Sequence, residues 1–318
     1  MTELDTARAV DRERRAGRAA LGVGAGPERE FTVEARSQSR MVLRRFVRHR
    51  LAMTSLVVLV LVMTLSLVGG RLWTYSYTEI TPEFSTGPSW QHPFGTDGVG
   101  HDLFAQVLRG AQKSVQIMVL VAVFSTTIGV VVGAVAGYYR GLVDSVLSRF
   151  IDLVLTVPLL AILIVLSKRV EGSGSWFFVA VILGGLVWTN LARVVRAEIL
   201  SLREKEFVEA ARALGASDAR IIFRHLLPNV TGSIIVAATL TMAVAILLET
   251  SLSYLGLGVR TPDTSLGILV AAGQTSAQER PWLFYFPGLF IIVIALCINF
   301  VGDGLRDAFD PRQTRVRR

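Results

Sequence analysis

Five stretches of this chain, 51–70, 114–139, 172–192, 225–248 and 281–302, contain no Asp, Glu, Lys or Arg. Each is long enough to span a membrane: at 1.5 Å per helical residue, about 20 apolar residues cross a hydrocarbon core of about 30 Å. Only a helix or a closed barrel satisfies its backbone in lipid, and runs this long are helical in length. The chain is therefore read as an all-α integral membrane protein. Composition agrees, with 18% charged residues against about 25% in an ordinary globular chain. A soluble enzyme, a disordered scaffold and a secreted disulfide protein are excluded. Cys297 is the single cysteine and cannot form an internal bridge.

A sixth span is read over 146–167. Its charge-free part, 153–167, is too short to cross alone, so the span takes in Arg149 and Asp152 near one end, where polar side chains reach water. The run 264–278 holds Gly267, Gly273 and several hydroxyl or amide residues. It is expected to form a short non-spanning or re-entrant element. The resulting layout has an Arg-rich disordered tail over 1–40 and a transmembrane domain over 41–312. Its spans lie at about 51–70, 114–139, 146–167, 172–192, 229–248 and 281–302, with a long loop over 193–228. A basic tail, 313–318, closes the chain.

Six spans put both termini on one side. That side carries 26 of the 33 basic residues and the opposite loops carry 7, so the positive-inside rule places both termini in the cytoplasm. The formal charge of +8 is then mostly an orientation signal and not a nucleic-acid surface. The 1–40 segment lacks a secretory signal pattern. It reads as a solvated tail, with lipid-headgroup contact as the alternative.

The 193–228 loop carries the most information. Phe207, Ala210, Ala211 and Leu214 share one face of a helix. Glu204, Glu206 and Glu209 lie in its early turns, where the helix dipole favours anions. Gly215 stands where a helix ends in a left-handed residue. Ser217 is positioned to cap a second short helix, with Asp218 in its first turn, running to Pro228. The pattern alone also fits an amphipathic connector resting on the bilayer. Seven basic and five acidic residues nearly balance in this loop, which suits a protein contact.

Glu209-Ala-Ala, three residues, Gly215, then Leu227-Pro228 resembles the cytoplasmic signature of ATP-binding-cassette importer permeases, with His225 standing at the usual Ile position. His92-Pro-Phe-Gly-Thr-Asp97, Gly100-His-Asp102 with Arg109-Gly110, Glu249 to Gly258, and Asn299 to Arg312 resemble the C-type subunit of the dipeptide/oligopeptide permease group. His101 replaces the usual Arg, and Leu266 stands where Trp is often found. The resemblance covers roughly 40–312. It implies a type I importer fold whose 193–228 loop forms a coupling helix for an ATPase subunit, through Glu209, Ala210, Ala211, Gly215 and Pro228. It also implies a homologous B-type permease partner, two ATPase subunits or domains, and an extracytoplasmic substrate-binding protein at 71–113 and 249–281. The location implied is a bacterial inner membrane, in contact with lipid. Asp97, Asp102 and Glu249 are candidate contacts for that binding protein. Asp303, Arg306 and Asp307 are candidate ATPase contacts, or equally a solvated helix end before Pro311.

Other residues keep two readings. His92 and His101 are loop residues or metal ligands, although no ligand set accompanies them and no metal site is expected. Asp152 and Glu249 anchor span ends or mark function. Thr126, Thr127, Asn190, Thr239 and Thr241 line a path or bond within and between helices. None of the three lysines follows a glycine, so there is no phosphate-cradling loop. ATP and Mg are expected on the partner, and the chain is expected not to be an enzyme or to hold a cofactor. The expected function is ATP-driven import of dipeptides or oligopeptides. Alternatives are nickel, glutathione or haem-like cargo in the same family, or an ion-coupled secondary transporter, which needs acidic relays or broken helices. A membrane-embedded enzyme is a third possibility, set back by the lack of clustered carboxylates or histidines in the spans.

Overall fold

The computed structural model describes residues 38–169 and 176–310. The 1–40 tail, apart from its last residues, and the 313–318 tail lie outside them. Helix α1 (Gln38–Arg48) stops at His49, whose ring Nδ1 accepts the Ala52 N–H at 3.1 Å. That contact caps α2 (Arg50–Leu72). The long α3 (Leu103–Tyr139) is followed by α4 (Gly141–Thr156), α5 (Leu159–Arg169) and α6 (Trp176–Leu202). The short α7 (Glu206–Ala213) leads into α8 (Asp218–Tyr254). The chain then forms α9 (Leu266–Gln274) and α10 (Trp282–Phe309). Among the described residues there is no strand, only two isolated bridges, Ile80 to His101 and Thr96 to Asp102.

Among the described residues five helices, α2, α3, α6, α8 and α10, are long and apolar enough to cross a bilayer. Where the sixth span is expected, α4 and α5 meet at an 81° bend, the geometry of a broken span or a re-entrant loop. Pro158 explains it: the ring disfavours helical geometry in the preceding residue, and Val157 sits at ψ 131. The sequence reading did not anticipate this bend. Helix α9, nine residues long, is too short to cross, matching the non-spanning element expected at 264–278.

Helices also run past the charge-free stretches. Helix α3 begins at Leu103, well before Ser114, and so includes Arg109 and Lys113. Their charge is shared with Asp263, 2.5 Å from Arg109 Nη2 and 3.0 Å from Lys113 Nζ. Helix α6 continues beyond 192, where Arg193 meets Asp152 at 2.6 Å and Arg196 meets Asp144 at 2.5 Å. Both pairs tie α6 to α4. Pro228 likewise does not start a separate helix. Residues Ile221–Leu226 adopt a wider π turn, which makes room for the proline ring and its missing N–H inside a continuous α8.

The framework is the α3–α6 pair. Gly129, Gly133 and Gly137 recur every fourth residue on α3, so the two backbones touch. A Cβ on Gly133 would lie 2.5 Å from the Ala192 carbonyl oxygen, and one on Gly137 would lie 2.8 Å from that of Arg196. Without a hydrophobic drive between helices in lipid, such small-residue contact supplies the packing.

Candidate coupling surface

At 1.5 Å per residue the 37-residue α3 is about 55 Å long, and a distinct structure sits at each end. At its C-terminal end lies α7. Val208 is fully buried and Ala211 8% exposed, packing with Tyr138, Val195, Ile199, Ile221 and Leu226. The helix closes on Gly215 at φ +77. Ala216 N–H donates to Ala211 O at 3.0 Å and Gly215 N–H to Arg212 O at 2.9 Å. This paired pattern is a Schellman end, and only glycine takes that backbone without strain.

The segment is bolted to α3 by polar contacts. Tyr138 Oη donates to Asp218 Oδ1 at 2.6 Å, while Arg203 reaches the Tyr138 carbonyl. Arg140 pairs with Glu204 at 2.7 Å. Arg203 and Arg212 lie over the Tyr138 ring at 5.6 and 5.5 Å. Ser217 occupies the cap position of α8, but its side chain makes no capping bond, contrary to expectation. Asp218 is instead engaged by Tyr138.

The other side of α7 is open. Phe207, Leu214 and the nearby Phe223 are 41%, 89% and 69% exposed. Glu206, Glu209 and Ala210 are exposed beside them. The expected face of Phe207, Ala210, Ala211 and Leu214 thus divides: Ala211 turns inward, while Ala210 is exposed. Asp303, Arg306 and Asp307 near the end of α10 are also exposed, with Asp307 3.6 Å from His49.

At the opposite end, residues 73–102 fold into a cap on α3. Asp102 is fully buried and accepts from Ala105 N–H at 2.7 Å, from Trp73 Nε1 at 3.1 Å and sits 2.6 Å from His92 Nδ1. Asp97 accepts from the N–H groups of Val99, Gly100 and His101 at 2.8–2.9 Å and lies 2.9 Å from the His101 ring. Burial works to raise the Asp97 carboxyl, and the hydrogen bonds from His101 and Val99 outweigh it, holding it below the ordinary 3.8. Phe94 stacks on Phe286 at 4.1 Å. Glu249 is likewise fully buried, held by Ser114 and Ser253 hydroxyls at 3.0 and 2.7 Å.

Asp102 and Glu249 therefore cannot face a binding protein in this state, since each is committed to internal donors. Asp97 remains partly exposed. His92 and His101 lie against Asp102 and Asp97, and no group of three metal-ligating side chains occurs among the described residues. Thr127, Thr239 and Thr241 bond back to their own helices. Asn190 and Thr241 also line a groove of about 470 Å³ between the Pro158 break, α6 and α8. The sequence reading missed the glycine ladder of α3 and the proline break, both of which were visible as spacing and residue type.

Comparisons place this geometry. Residues 129–315 match the family model described as binding-protein-dependent transport system inner membrane component. Residues 37–89 match the N-terminal TM domain of oligopeptide transport permease C. The oligopeptide transport system permease protein OppC of Mycobacterium tuberculosis is 43% identical over 288 residues, covering 90% of this chain and 98% of that protein. The protein of the same name from Haemophilus influenzae is 36% identical, covering 89% and 91%. Among solved structures, a chain of the MetNI methionine ABC transporter in inward-facing conformations aligns with TM-score 0.52 at 19% identity. It covers 65% of this chain and 98% of that one, and shows a shared fold. A multi-pass inner-membrane permease, the chain belongs to the family of binding-protein-dependent transport system inner membrane components.

Proposed function

We propose that this chain is a transmembrane subunit of an ATP-driven importer of dipeptides or oligopeptides, supplying half of the translocation path beside a homologous permease subunit. The observation that carries the peptide reading is its likeness, over nearly their whole length, to proteins named as oligopeptide permeases. These relatives favour peptide over nickel, glutathione or haem-like cargo. The break at Pro158 removes one objection to an ion-coupled transporter, but the family match outweighs it.

Hydrolysis belongs to a partner ATPase, which holds the ATP and Mg. It docks on the open side of α7, where Glu209, Ala210 and the ridge of Phe207, Leu214 and Phe223 are accessible. Gly215 sets the turn, and Pro228 follows the π turn inside α8. A push on α7 passes through Val208 and Ala211 to Ile199 and Ile221, and so to α6 and α8. The groove at Asn190 and Thr241 lies between these helices and the Pro158 break. Rigid-body rocking of these helices then alternates access, and a binding protein delivers peptide at the cap end.

The test is ATP-dependent uptake of a labelled oligopeptide by cells carrying Glu209→Lys or Gly215→Asp. Loss of uptake with a normally inserted permease is expected. Survival of both uptake and ATPase association sinks the docking assignment.

A further inference from the structure

Packing does not use up the amphipathic character of α1. Phe46 turns inward onto Ala52 and Ala308, joined by Val42, Val301 and Leu305. Leu43 and Val47, on the flank of that face, stay 62% and 53% exposed. Arg40, Arg44 and Arg48 recur every fourth residue along a different face. All three are exposed and have no ion-pair partner among the described residues. Residues 38–50 hold five arginines and no acid.

The position of α1 decides what these two faces meet. The chain leaves helical geometry at His49 (φ −80, ψ 94), and the next residue already begins the membrane-crossing α2. Arg45 and Phe46 fasten α1 to the end of α10, through the Asp310 carbonyl at 3.0 Å and through Ala308. Helix α1 is thus held where two apolar helices of spanning length end, the level at which a bilayer that they cross has its headgroups. A helix there with exposed leucine and valine beside an arginine row has the pattern of an interfacial anchor. A soluble acidic protein would explain the arginines but not the exposed Leu43 and Val47.

We infer that α1 is a binding site for anionic phospholipid, with Leu43 and Val47 among the upper acyl chains and Arg40, Arg44 and Arg48 on lipid phosphates. Each arginine near an anionic surface contributes about a fivefold local preference, on the order of 1 kcal/mol.

The test places a fluorescent donor on Met41→Cys in the full permease complex, the native Cys297 being buried. The complex is reconstituted in bilayers containing acyl-labelled acceptor phosphatidylglycerol or, separately, acceptor phosphatidylcholine. Several-fold stronger transfer to phosphatidylglycerol is expected, collapsing in high salt and in the Arg40→Gln, Arg44→Gln, Arg48→Gln triple variant. The matching triple lysine variant keeps the preference, because the interaction is one of charge. Equal transfer to both lipids in the unaltered protein overturns the proposal. So does a preference that survives the glutamine variant, or one that the lysine variant abolishes.

Discussion

The two ends of α3 are built on opposite principles. The 73–102 cap is closed on itself: its Asp97 and Asp102 carboxylates are spent on backbone N–H groups, Trp73 and two histidines. The α7 segment is fastened on one side and bare on the other, with Val208 buried and Leu214 almost wholly exposed. Burying a carboxylate demands a full set of donors, so the cap cannot shift without breaking many bonds together. Helix α7 seats Val208 and Ala211 on Ile199 and Ile221, is fastened beside Tyr138 and Asp218, and leaves its other side bare. One end holds its shape through internal bonds, and the other leaves a helix side uncovered.

Substitutions can break this contrast, and the largest effect belongs to the cap. Asp102→Ala strands His92, Trp73 and the start of α3 together, and is expected to cost about 3 kcal/mol. The check is the melting temperature of the detergent-purified permease. On α7, Val208→Ala empties part of the seat and is expected to cost about 2 kcal/mol. Gly215→Ala forces a Cβ into φ +77 and costs about 1 kcal/mol, with uptake falling more than stability does. Leu214→Ala touches nothing inside the chain. Its stability should stay within about 0.5 kcal/mol of the original, while the amount of ATPase recovered with the permease drops.

The smallest effect is a titration. The Asp97 carboxyl is held below 3.8, so its ionised form stabilises the fold. That contribution is fully present above 3.8 and is lost as pH falls through the lower native value. Acid melting of Asp97→Asn should therefore be flatter in that window than acid melting of the unaltered protein.

What the sequence revealed follows the same divide. The long apolar helices were legible because bilayer thickness dictates their length, and Gly215 because a left-handed helix end names its residue. The α4–α5 break was written in Pro158 yet hidden inside an apolar run. Helix ends were misjudged where a charge is neutralised from afar, as Arg196 is by Asp144 and Arg109 by Asp263. Asp102 and Glu249 read as surface contacts because their donors, Trp73 and His92 for one and Ser114 for the other, come from other parts of the chain. Ala210 and Ala211 are neighbours in sequence, and only the seat formed by Ile199 and Ile221 decides which of them faces outward.

The claim that the bare side of α7 is the ATPase contact can be tested with one cross-linking measurement. Leu214→Cys and, at the cap, the fully exposed Trp90→Cys are each introduced into the assembled transporter and treated with a short thiol-to-amine cross-linker. The account requires Leu214→Cys to capture a P-loop ATPase subunit and Trp90→Cys not to. Capture of the ATPase from Trp90→Cys, or none from Leu214→Cys in a transporter that still imports peptide, contradicts it.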